Sequence, residues 1–315
     1  MVYKSIRDKV DRQLLQAYDA QTGFDLDHLE EFVKEQDAAE MAGLKDDPDV
    51  EAQFLTIPGP AGAPDLKIRV YQPKNRGSEP LPAVVFFHGG GFLFGTYIRQ
   101  NDMCCRWCKN VPCTVISVDY RRAPRWKAPV PVEDGYAALV WVHDHAAEIG
   151  VDPERIALGG LSAGGNLAAT VALMARDRKG PHVVLQAALY AELDPKLESF
   201  SAHSIQDPKV WCRRYGEISW DKYLEKGQEV NGYVSPLAEK DLSGLPPMFS
   251  YTSECDMMVG ENMAYWQRLM EAGVPVEGHV FPGGYHCFEI QAPDADISQE
   301  AYELTYHALR RAFHL

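Results

Sequence analysis

Gly160-Leu161-Ser162-Ala163-Gly164 has the spacing G-x-S-x-G, in which a serine hydroxyl can serve as a nucleophile. The pattern arises often by chance, so its flanks decide its value. An apolar stretch, Ile156 to Leu158, runs into it and a helical pattern, Ala163 to Arg176, runs out. That is the strand-turn-helix setting such a serine requires. The glycines leave room for a tight, strained backbone, and free amides at the helix start favour developing negative charge. The competing reading is a glycine-rich loop capped by Ser162.

A second glycine cluster, His88-Gly89-Gly90-Gly91-Phe92, follows the apolar run Pro82 to Phe87. Three glycines let main-chain N–H groups converge on one point with no Cβ in the way. In acyl transfer, charge collects on the former carbonyl oxygen, and preorganised amides stabilise it by roughly 3–4 kcal/mol each. The amides of Gly90, Gly91 and Ala163 are assigned as those donors. His88, on the strand end that builds the loop, is read as an organiser rather than a base. A phosphate-binding loop would need a Lys-Ser/Thr pair to follow, and no such pair does.

These side chains need a scaffold, and the chain's periodicity supplies one. Apolar runs at Phe54–Ile57, Leu66–Tyr71, Pro82–Phe87, Val115–Val118, Ile156–Leu158, Val183–Leu189, Met248–Tyr251 and Val276–Phe281 read as strands. Helical patterns lie between them at Val132–Ile149, Ala163–Arg176, Glu261–Ala272 and Ile297–Phe313. Near-continuous apolar strands alternating with helices predict an α/β fold, a mostly parallel sheet of about eight strands covered on both faces. Residues 1–50 read as a helical cap segment, with Ile6, Val10, Leu14 and Tyr18 at helical spacing and Leu29, Phe32 and Val33 on a second face. Residues 194–234 carry Trp211, Tyr215, Trp220 and Tyr223 without a clear strand. They read as a second cap piece inserted between the two parts of the main domain, 51–193 and 235–315. Insertions at strand C-terminal ends sit over the ligand-binding edge of such sheets. Phe92, Trp211, Trp220 and Tyr223 are therefore expected to line the substrate pocket.

Composition narrows the function. A net charge of −14 argues against nucleic acid, which needs clustered Lys and Arg. No apolar run is long enough to span a bilayer, and Met1 to Ala20 lacks a signal-peptide core. Seven cysteines in 315 residues read as reduced thiols of a cytoplasmic protein. Cys104, Cys105, Cys108 and Cys113 cluster without a completing histidine, so helix packing is expected there rather than zinc.

With both glycine motifs in place, the chain resembles the hormone-sensitive-lipase-like family of α/β-hydrolases from about Leu66 onward. The likeness also rests on Asp119-Tyr120-Arg121 with Ala123-Pro124, Glu133-Asp134, Ser235-Pro236-Leu237, and Asp256 through Gly260-Glu261 to Tyr265. The resemblance implies a serine carboxylesterase with Ser162 as nucleophile, His286 as base and Asp256 as orienting acid, in the chain order this fold uses. Glu254 is the nearby competitor for the acid. Leu161 stands where relatives usually have Asp, and Cys287 where they usually have Gly. The implied substrate is a small-molecule ester, with no cofactor and no metal; the oligomeric state is open, a homodimer being the assembly considered. Narrower alternatives are a metabolite deacetylase or lactonase, or a non-catalytic small-molecule receptor on the same fold.

Overall fold

The computed structural model describes residues 2–315. Its sheet has eight strands: β1 (Val50–Ile57), β2 (Leu66–Pro73), β3 (Leu81–Phe87), β4 (Thr114–Val118), β5 (Val151–Leu161), β6 (Leu185–Leu189), β7 (Met248–Ser253) and β8 (Val276–Phe281). They lie in the order β1-β2-β4-β3-β5-β6-β7-β8. β1 and β2 are antiparallel, as are β2 and β4; every pair from β4 to β8 is parallel. Each apolar run of the sequence is one of these strands. The inner strands are buried along their length because helices cover both faces.

The helices are α1 (Leu15–Asp19), α2 (Leu29–Gly43), α3 (Asn101–Asn110), α4 (Val130–Asp144), α5 (Ala163–Asp177), α6 (Phe200–Ser204), α7 (Arg213–Tyr223), α8 (Val259–Glu271), α9 (Phe288–Gln291) and α10 (Asp296–Phe313). Alternate residues of β3 divide between two cores. Val84 and Phe86 pack with Met103 and Trp107 of α3 and Tyr306 of α10. Val85 and Phe87 pack with Leu139 of α4, Val171 of α5 and Leu269 of α8. Cys104, Cys105 and Cys108 are buried where α3 meets the first of these cores.

The N-terminal segment departs from the helical expectation. Ile6, Val10, Leu14 and Tyr18 are all buried, but only a 3-10 turn at Arg7–Lys9 and the short α1 form there. The backbone donors that a continuous helix would use are taken by other parts of the chain. The Ile6 N–H donates to Asp207 (2.8 Å) and that of Asp11 to the Gly283 carbonyl (3.0 Å). Tertiary contacts thus replace the helical ladder. The same segment closes on the 194–234 insertion: Tyr3 bridges Ile205, the Tyr18 hydroxyl donates to Asp207 (2.5 Å), and Phe24 packs edge-on to Trp211 and Tyr215. α2 is pinned from its far end, where Glu40 accepts from the Thr96 N–H (2.9 Å) and from Arg99 (2.6 Å).

Candidate active site

β3 and β5 run side by side with Phe87 opposite Gly160. The two glycine motifs therefore leave the sheet together, one after β3 and the other between β5 and α5. Ser162 occupies the turn with φ 57° and ψ −124°, a region that non-glycine residues rarely enter and that marks stored strain. The turn closes only because its glycines lack side chains: a Cβ on Gly160 would lie 2.1 Å from the Gly164 carbonyl oxygen, and one on Gly164 would lie 2.1 Å from that of Phe87. The Ser162 N–H donates to the Leu189 carbonyl (3.0 Å), tying the turn to the end of β6.

Three distant side chains meet here. His286 Nε2 is 3.0 Å from Ser162 Oγ, and His286 Nδ1 is 2.7 Å from Asp256 Oδ2. The other carboxylate oxygen of Asp256 accepts from the Met258 N–H at 3.0 Å, so the acid is held from both sides and fully buried. Burial opposes a charged imidazole, but the neighbouring carboxylate outweighs it, and Cys287 adds to it; the His286 pKa stands well above its ordinary value. Tyr190 sets its ring edge-on to the imidazole, centroids 5.0 Å apart, and donates its hydroxyl to buried Glu289 at 2.5 Å. An imidazole fixed in this way can accept a proton from a hydroxyl at one nitrogen while a carboxylate stabilises the charge at the other.

Gly89, Gly90 and Gly91 share a cavity of about 370 Å³ with Ser162 and His286. Among the described residues, no turn or loop carbonyl takes the N–H groups of Gly90, Gly91 or Ala163, which leaves them free to serve a ligand oxygen. Gly91 has φ +56°, and a Cβ there would come within 2.5 Å of the Trp211 ring. His88 is fully buried, stacks on Tyr120 at 4.2 Å, and donates from Nδ1 to the Gly89 carbonyl (2.9 Å). Burial lowers its pKa to about 3. It stays neutral and organises the loop.

Of the four aromatic residues expected at the pocket, Trp211 lines the cavity, alongside Phe24, Phe94, Arg99, Lys209, Ile290 and others. Phe92, Trp220 and Tyr223 do not. Phe92 stacks on Tyr223 with centroids 3.9 Å apart and packs on Trp220 at 5.2 Å; the three form a buried aromatic core between the glycine loop and α7. Aromatic faces favour one another over a half-polar cavity wall, and apolar type alone does not distinguish the two places. Cys287, with φ 62°, and Leu161 both reach the cavity. Glu254 is committed elsewhere, to Lys9.

Sequence reasoning missed Glu192. It is fully buried three residues past β6, and burial lifts its pKa to about 8. A carboxylate inside the otherwise apolar run Leu189–Leu193 was the available signal.

The α/β-hydrolase fold family matches residues 84–290. The chain is 36% identical to the carboxylesterase NlhH of Mycobacterium tuberculosis over 85% of its own length and 84% of that protein. It is 38% identical to the carboxylic ester hydrolase LipN of the same organism, over 80% of this chain and 69% of LipN. The solved structure of a bacterial heroin esterase superposes with a TM-score of 0.92 at 36% identity, covering 98% of this chain and 99% of the other. Sheet order, serine turn and relatives agree, and the chain belongs to the α/β-hydrolase fold family, in its hormone-sensitive-lipase-like carboxylesterase class.

Proposed function

We propose that this enzyme hydrolyses carboxylic esters by two-step acyl transfer through Ser162. One observation carries the reading: the unbroken chain from Ser162 Oγ to His286 (3.0 Å) and from His286 to Asp256 (2.7 Å). As Oγ attacks the ester carbonyl carbon, His286 Nε2 takes the serine proton and Asp256 holds the imidazole in the tautomer that can accept it. The carbonyl π electrons move onto oxygen, which the amides of Gly90, Gly91 and Ala163 receive. Collapse expels the alcohol, which leaves with the proton from His286. A water molecule then gives a proton to His286 as it attacks the acyl-serine; collapse breaks the bond to Ser162 Oγ, His286 returns the proton to that oxygen, and the acid leaves.

A cavity of about 370 Å³ suits esters with short-to-medium acyl chains. A receptor role is disfavoured because a binding site has no use for an imidazole poised between serine and a buried acid. Seven unpaired thiols, six of them buried, fit a reducing compartment, and we assign the enzyme to the cytoplasm. The test is Ser162→Ala assayed with p-nitrophenyl acetate and butyrate. Release of p-nitrophenol should fall by on the order of 10⁴-fold or more with circular dichroism unchanged; wild-type rates would overturn the assignment.

A further inference from the structure

Two cavities meet beside the catalytic serine. The one that holds Ser162 and His286, about 370 Å³, and a second of about 240 Å³ share the wall residues Glu40, Arg99, Gln100 and Ile290. That wall stands where the end of α2, the start of α3 and α9 come together. The same side chains line both spaces, so little more than their own width separates the second cavity from the reacting centre.

The charges of this wall are already answered. Glu40 accepts from the Thr96 N–H (2.9 Å), the Thr96 hydroxyl (2.8 Å) and Arg99 (2.6 Å), and the Arg99 guanidinium lies over the Phe94 ring at 4.9 Å. Lys209, on the first cavity, donates to the Asp19 carbonyl (2.9 Å). The amides are not answered. Gln100 is the N-cap of α3, yet its side chain makes no capping bond, and among the described residues its buried Oε1 has no hydrogen-bond partner. On the second cavity, Asn101 gives its Nδ2 to the Lys45 carbonyl (3.0 Å) and to Asp102 (3.2 Å), leaving its Oδ1 unpaired. On the first, the Oε1 of Gln291 is buried and unpaired too. Gln100 and Asn101 are only 7% and 8% exposed.

Buried polar groups are almost always paired. Three unpaired carboxamides, leading from one cavity through the shared wall to the next, lack the partner that a ligand would bring. A carboxamide offers a carbonyl on one edge and an NH2 on the other. The group that complements it both donates and accepts and carries no charge, as a hydroxyl or a second amide does.

We propose that the two cavities form one bipartite substrate site. The ester reacts in the first, and a neutral hydrogen-bonding group elsewhere on the same molecule is read by Gln100 at the wall, with Gln291 before it and Asn101 beyond. Preferred substrates are then esters that carry a hydroxyl or amide remote from the scissile bond, on the acyl or the alcohol arm. This rests on the esterase reading. It makes Gln100 a specificity-determining residue with no part in the proton transfers.

The experiment measures kcat/KM by pH-stat titration for two matched series of graded chain length. One sets monoacetates of straight-chain diols against acetates of the alkanols in which methyl replaces the far hydroxyl. The other sets methyl esters of ω-hydroxy acids against those of the matching alkanoic acids. The first places the hydroxyl on the alcohol arm and the second on the acyl arm, so the responding series identifies the arm. At the length that reaches Gln100, the hydroxy ester should be favoured by about tenfold or more, since a site built to pair a hydroxyl rejects analogues lacking it. A wall with no partner to offer would disfavour the hydroxyl at every length, through its lost hydration. Gln100→Leu should bring the ratio to one or below. Wild-type ratios at or below one at all lengths in both series, or an unchanged ratio in Gln100→Leu, would overturn the proposal even though the esters are hydrolysed. The wild-type ratios decide the matter should the Leu variant fail to fold. Failure on every ester of both series would instead strike the esterase reading itself.

Discussion

Glu254 and Asp256 lie two residues apart and make unrelated contacts. Glu254 meets Lys9 Nζ at 2.6 Å with nearly half its side chain in solvent, whereas Asp256 is fully buried at 2.7 Å from His286. Their consequences on substitution should differ accordingly. Asp256→Asn presents the wrong tautomer to the serine and should lower kcat by on the order of 10⁴-fold. Glu254→Gln removes a surface ion pair, worth at most about 1 kcal/mol, and should leave kcat within about twofold. Steady-state assays of the two variants on one ester check both outcomes.

His286 predicts the acid limb of the pH profile. Its charged form is favoured by Asp256 and Cys287, and a protonated imidazole cannot take the serine proton. kcat/KM should therefore fall as pH drops, with a midpoint above the ordinary histidine value. A stopped assay across pH 5–9 reads it.

Gly91→Ala places a side chain in left-handed backbone, at a cost of about 1–2 kcal/mol, and drives Trp211 off the loop. Losing the alignment of one oxyanion donor costs about 10²–10³ in kcat. The variant should show that loss with a lowered Tm, measured by differential scanning fluorimetry and a p-nitrophenyl ester assay.

Glu192 should leave a signature in stability. Its pKa is about 8 in the fold against an ordinary 4.5. Between those values the unfolded chain has released the proton that the folded chain retains, so protonation favours the fold. Its stabilising contribution is complete below about pH 4.5, declines as pH rises through that window, and is gone above 8. A tenfold difference in proton affinity between folded and unfolded chains is worth about 1.4 kcal/mol, so the decline amounts to a few kcal/mol. Urea melts at pH 5 and pH 8 should show a smaller difference in Glu192→Gln than in the wild type.

Asp207 joins the N-terminal segment to residues 194–234 by accepting from the Ile6 N–H and the Tyr18 hydroxyl. Asp207→Ala strands both donors and should cost roughly 2–4 kcal/mol. Hydrogen exchange should quicken first across residues 2–20, well before the sheet exchanges.

The eight strands, their alternation with helices, and the two glycine motifs at strand ends were all legible in the order of residues. These are local matters: an apolar run buried on both faces and a glycine where a Cβ has no room leave their mark in neighbouring residues. The burial of Ile6, Val10, Leu14 and Tyr18 was legible in the same way. Nothing in their spacing announced that Asp207 and Gly283 would take the donors a helix needs. Nor did aromatic type announce that Phe92, Trp220 and Tyr223 would pack on one another while Trp211, of those four, reached the cavity. Glu192 makes the same point from the polar side, being an ordinary acid in the chain and a fully buried, proton-holding carboxyl in the fold. Patterning reports how much of a side chain leaves water. What that side chain then faces is settled by folding, because its partners come from segments that are distant in sequence.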